Sequence, residues 1–298
     1  MSLLNRRQLL AATAVVAGTT AAGLARADVS SAASRYPEYD KYFNPGPKAY
    51  PGVDTSWVPQ GLTHWGNDKL LISYYDGRYG DSDYKKRAKS RLFIVSRKTG
   101  ATLNWFQLNT QRHVGGLATT PGYIWVSMDS RLLRYPTSRF SQSNGSIIHA
   151  SKEFDVKGKA SYVGSYGNTL WTGTCNPEHR DYMYAYPVDR SGNLPKNPTA
   201  TVRTPSQVQG LAVTGSLFIW SQSWGSKDSN LIYWRRSRTY DGTKAKGNWI
   251  VTAPRAEGLT YVNGQVHVIF ESGSSKYADS SRGIRVKTIH HGNLPPVP

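Results

Sequence analysis

Gln60-Gly61-Leu62-Thr63 returns as Gly115-Gly116-Leu117-Ala118, as Gln209-Gly210-Leu211-Ala212 and as Glu257-Gly258-Leu259-Thr260, with a degenerate copy at Ser161-Tyr162-Val163-Gly164. Each copy leads within a few residues to a glycine and then to an apolar run: Leu70–Tyr75, Tyr123–Met128, Thr169–Thr174, Leu217–Ser221 and Val266–Phe270. The aligned positions 61, 116, 162, 210 and 258 are spaced 55, 46, 48 and 48 residues apart. Repetition at such a period marks an array of like supersecondary units.

Each unit has room for four short strands, with turn signals such as Asn144-Gly145 and Asp241-Gly242 between them. The fold class expected is all-β, a five-bladed β-propeller; a six-bladed ring is the alternative, because the first repeat is long. The second repeat is expected to end in one strand over Ser146–Val156. The fifth has its third strand at Ile284–Ile289, then a turn at His291–Pro295, and no residues for a fourth. Residues 46–58 precede the first copy as Trp249–Pro254 precede the last, so the N-terminal stretch is expected to supply the missing strand and shield the sheet edges. The repeat length is similar to that of tachylectin-like five-bladed lectins, and five blades also occur in some glycosidases and calcium-dependent nucleotidases. None of those families' functional motifs is present, so the resemblance covers architecture alone.

Ahead of the repeats, Asn5-Arg6-Arg7-Gln8-Leu9-Leu10, the small apolar stretch Ala11–Leu24 and Ala25-Arg26-Ala27 read as a signal peptide over residues 1–27. The paired arginines resemble a twin-arginine export signal, with an ordinary secretory signal as the alternative. The product is expected outside the cell, with a flexible start over residues 28–45, a propeller domain over 46–298, no integral membrane span and a monomeric state. Of the 37 basic residues, Arg6, Arg7 and Arg26 fall in the signal; the remaining 34 against 19 acidic residues leave the mature chain at +15. Such a balance favours a glycan, cell-wall polymer or other polyanion as partner. Cys175 is the single cysteine, so the core must hold the fold without an intrachain disulfide.

In a propeller the start of each innermost strand and the end of the next lie at one mouth of the central channel, where pockets form. Candidates for catalysis there are Glu257 and Glu271, expected to face each other across one blade and to raise each other's proton affinity, with His113 and Asp76. Candidates for binding are Gln60, Gln209, Arg255, Tyr75, Trp224, Asp129 and Asn176. These positions differ from repeat to repeat, which points to one asymmetric site rather than five equivalent ones. That site suits a binder of glycan or polyanion, or a glycoside or phosphoester hydrolase using the carboxylates. A purely structural interaction platform would instead leave the mouth flat. Asp76-Gly77-Arg78-Tyr79-Gly80-Asp81-Ser82-Asp83 is acidic enough to suggest Ca²⁺ but lacks EF-hand spacing, so the metal is left open. Trp125, Trp171 and Trp220 fall within strands and are expected in the core.

Overall fold

The computed structural model describes residues 35–244 and 248–297; the sequence-based signal peptide, and the start of the expected flexible stretch, lie outside them. Five sheets form five blades. The innermost strands a are Trp57–Trp65, Gly116–Thr120, Tyr162–Tyr166, Val208–Val213 and Ala256–Val262. Each touches the next in that order, and the fifth returns to the first, closing a ring. The six-bladed alternative is thereby excluded.

The repeated phrase has a steric cause. Strands a of neighbouring blades approach so closely that a Cβ on Gly61 would sit 2.7 Å from the Leu117 nitrogen, and one on Gly116 would sit 2.5 Å from the Val163 nitrogen. A Cβ on Gly210 would collide with the Glu257 carbonyl oxygen, and one on Gly258 with the Leu62 nitrogen. In the degenerate third copy the role passes two residues on, to Gly164 against the Leu211 carbonyl. Two residues on is the same face of a strand. A second tie comes from buried hydroxyls on strand b, the next strand out: Ser73 accepts from the Gly61 amide and donates to the Val114 carbonyl of the following blade, both at 2.9 Å. Ser221 likewise donates to the Glu257 carbonyl across a blade boundary.

The ring is closed as expected, with the register moved. In blade five the strand order is Phe43–Ala49, Thr288–Asn293, Gln265–Phe270, Ala256–Val262. The closing strand is Phe43–Ala49 rather than 46–58, and Trp57 and Val58 belong to strand a of blade one. The third strand is Thr288–Asn293, displaced toward the C-terminus from the expected Ile284–Ile289 and running through the expected turn. Phe43 pairs with Gly292 and Asn44 with His291. Pro45 and Pro47 fit because this is an outermost strand, where a missing N–H is tolerated. Tyr39 and Phe43, both buried, stack at 4.4 Å, so the chain is packed from there.

Blade two also departs from expectation. Its outer segment is two strands, Ile147–Ile148 and Lys152–Asp155. The first pairs in parallel with Gln107 and Leu108 of blade one, because buried Ile148 joins the cluster of Phe106, Leu108 and Phe140. Trp125, Trp171 and Trp220 lie in the packed interior between blades. Among the described residues no helix is long and apolar enough to cross a membrane.

Candidate functional site

Starts of strands a and ends of strands b converge at one mouth of the ring. Two cavities of about 420 and 320 Å³ open there and share Gln60, His113, Gln209 and Trp224 in their walls, so they form one basin. Blade five contributes most of its chemistry. Glu257 lies on strand a and is 4% exposed; Glu271 follows strand b and is 6% exposed. Both line the larger cavity.

Burial sets the charge state of this pair. Loss of water, then the field of Glu271, raises the Glu257 carboxyl well above the ordinary carboxylate range, opposed by Arg255. Burial also lifts Glu271, to about 7, with Arg255 and the Gln60 amide acting against it. Two neighbouring carboxyls that cannot both ionise divide into an acid and a base. Glu257 is thus biased toward its protonated form, and Glu271 is poised to exchange a proton near neutral pH.

A hydrogen-bonded row steadies Glu271. The Gln60 side-chain amide donates to its Oε1 at 2.5 Å, and the Gln60 carbonyl oxygen in turn meets Nε2 of His113. Accepting oxygen on Gln60 requires that His113 carry its proton on Nε2. Burial drives the His113 pKa down to about 4, so the ring is neutral. Its face lies against Tyr75, with 4.4 Å between centroids. Arg255 reaches Glu271 at 3.7 Å and lies 3.9 Å over the Tyr277 ring.

The Tyr75 hydroxyl meets Tyr277 at 3.1 Å and accepts from Nζ of Lys276 at 2.9 Å. Asp81 lines the larger cavity and pairs with buried Arg87 at 2.6 Å. Sequence position puts Lys276 and Tyr277 in a mouth loop beyond a strand end, where an aromatic beside a cation suits stacking on a sugar ring; it does not single out Asp81 or Arg87 as site residues. All four sit in the loops leaving strand b of blades one and five, the longest polar loops at this mouth, and length was the available signal.

The other candidates separate by position. Gln209 lines both cavities and donates to the Ser223 carbonyl at 3.1 Å. Trp224, 43% exposed, stands at the rim. Asp129 lines the smaller cavity and is paired with Arg112 at 2.8 Å. Asn176 lines neither cavity; its side-chain oxygen accepts from the Glu178 and His179 amides and shapes a turn.

Asp76 also lines neither cavity. It is fully buried, accepts from Arg78 through both oxygens and from the Ala88 amide, and is lowered to about 2 by these bonds against the opposing effect of burial. It anchors the loop that carries Asp81. Cys175 faces the smaller cavity as a thiol, pushed up to about 12 by burial and the Glu257 field.

In the Asp76–Asp83 loop the three carboxylates are matched to Arg78, Arg87 and Lys86, an arrangement that satisfies them without Ca²⁺. Among the described residues no group of three or more His, Cys, Asp or Glu is placed to share a metal ion. Backbone strain concentrates at the mouth: Asp129, Gln207 and Arg255 hold positive φ of 53°, 60° and 69°. Such left-handed non-glycine residues cost of order 1–3 kcal/mol each, and they cluster where side chains must be aimed.

The architecture recurs among solved structures. A glutaminyl cyclase from Myxococcus xanthus matches with a TM-score of 0.52 and 10% identity, over 86% of this chain and 97% of that one. A hydrazine synthase from Kuenenia stuttgartiensis matches with a TM-score of 0.43 and 13% identity, over 72% of this chain and 56% of that one. At these identities the likeness is one of fold: a propeller, with a propeller enzyme as neighbour. No protein-family model and no curated protein sequence matches the chain.

Proposed function

We propose that this chain is an exported acid–base enzyme acting on a glycan, with the basin as its active site. The observation that carries the reading is the buried Glu257–Glu271 pair, open to a cavity and split into a retained proton and a poised carboxylate. In hydrolysis, Glu271 takes a proton from the attacking water as Glu257 gives one to the leaving oxygen. Gln60, backed by His113, fixes the Glu271 carboxylate; Arg255 and Lys276 favour negative charge on the ligand; Trp224 offers a face for a sugar ring. The basic surface favours an acidic glycan or cell-wall polymer, in keeping with the export signal.

A second reading has one specific support, the fold likeness to a glutaminyl cyclase. Ring closure of an N-terminal glutamine needs the same two transfers, a proton taken from the attacking amine and one given to departing ammonia.

The test incubates parent, Glu271→Gln and Glu257→Gln with neutral and uronate-bearing oligosaccharides, a phosphoester panel and an N-glutaminyl peptide, with products followed by mass spectrometry. Glycan cleavage by the parent, lowered at least a hundredfold in both variants while they remain folded at the assay temperature, is the expected result. Cleavage that survives both substitutions overturns the assignment. Turnover of the peptide alone replaces the first reading with the second.

A further inference from the structure

Outside the basin, a further cavity of about 340 Å³ lies where the N-terminal strand closes the ring against blade one. Its walls come from the closing strand, the outer strands of blade five and the turn after Arg91–Ser96. Three cations line it, Lys48 from the closing strand and Arg97 and Lys98 from that turn, and no carboxylate among the described residues does. Arg97 commits its Nε to the Asn67 carbonyl at 2.6 Å, which fixes the guanidinium at the wall.

His267 lines the inner wall at 4% exposure. The ring stacks on His291 at 5.8 Å. Burial lowers the pKa of both, His267 to about 4, so the pair is neutral and offers hydrogen bonds rather than charge. Leu70, Val95 and Ile289 contribute an apolar part of the wall, beside Tyr50, Ser96 and Gln265.

We propose that this seam cavity is a binding site for a small molecule that joins an anionic headgroup to an apolar body. The headgroup meets Lys48, Arg97 and Lys98, the neutral His267 ring supplies a directed hydrogen bond, and the apolar part packs on Leu70, Val95 and Ile289. The ligand bridges blade five and blade one across the closure, so binding also holds the ring shut and raises the melting temperature. The site shares no lining residue with the basin.

Calorimetric titration of the full chain with benzoate, phenyl phosphate and uncharged benzamide tests it. At least one anion is expected to bind at least tenfold more tightly than benzamide. Lys98→Gln, on the surface, is expected to weaken that anion at least threefold, His267→Asn more so, and Glu271→Gln not at all. Equal binding of benzamide, no binding of either anion at millimolar concentration, or an affinity untouched by Lys98→Gln overturns the proposal. Should His267→Asn fail to fold, Lys98→Gln at parental melting temperature decides alone.

Discussion

Asp76 and Glu271 occupy equivalent places, each where strand b runs out at the mouth of the ring, and both are buried. Their chemistry is opposite. Asp76 is lowered to about 2 and Glu271 raised to about 7. The difference lies in partners: Asp76 has both oxygens on the Arg78 guanidinium and takes two backbone amides, whereas Glu271 has a neutral amide from Gln60 and a guanidinium at 3.7 Å. Burial raises both carboxyls, and only at Asp76 do the hydrogen bonds exceed it. A buried carboxylate with matched donors is structure; one left short of donors beside a second carboxyl is reactive.

The largest expected contrast is functional. Glu271→Gln should lower turnover by about 10²–10⁴-fold, the usual weight of a positioned acid or base, whereas Asp76→Asn should leave the chemical step within a few-fold. In stability the order reverses. Asp76→Asn leaves charge-assisted bonds unmade in a buried place and should cost about 2–3 kcal/mol by denaturant unfolding, with faster amide exchange over residues 76–90. Unchanged stability there would show that the loop is held by something else.

Proton linkage sharpens the same contrast. Folded Glu271 keeps its proton up to about pH 7, while an unfolded glutamate loses it near 4.5, so between those values the folded state binds more protons and stability falls as pH rises. His113, His267 and His290, each lowered to about 4, act oppositely: they stay neutral when folded and charge when unfolded below 6.5, so stability rises with pH. Glu271→Gln removes only the first contribution. The variant should therefore gain on the parent as pH rises from 4.5 to 7, a sign readable from paired unfolding curves; parallel curves would contradict a raised Glu271.

The smallest effect concerns the ring itself. Ser73→Ala deletes the acceptor of the Gly61 amide within blade one and the donor to the Val114 carbonyl across the blade boundary, and should cost about 1–2 kcal/mol, without altering the pH difference above.

Much of this architecture was legible from the glycine-centred phrase, because the lack of room for a Cβ between inner strands leaves its mark at every repeat. The closure was legible too, since residues 46–58 precede the first copy of the phrase as Trp249–Pro254 precede the last. Its register was not: His291 to Asn293 read as turn residues, and pairing with Gln265–His267 on one side and Phe43–Ala49 on the other makes them strand. Ile147 and Ile148 escaped notice as a separate strand because their partner lies in another blade.

At the mouth, position predicted which residues would gather: Glu257, Glu271, Gln60, His113, Gln209, Arg255 and Trp224 line the larger cavity. Partners were harder. Arg78 stands two residues from Asp76 in the chain, and that spacing alone does not reveal a bidentate pair. Nor does it reveal that Lys276 reaches Tyr75 from 201 positions away.

The most direct test is titration of the mature chain carrying ¹³C-labelled glutamate carboxyls, with Glu257→Gln and Glu271→Gln used for assignment. The account predicts one carboxyl titrating near pH 7, assigned to Glu271, and a second, Glu257, still protonated there. Two carboxyls titrating together near 4.5 would mean an ordinary ionised pair, and the basin would lose its acid and its base.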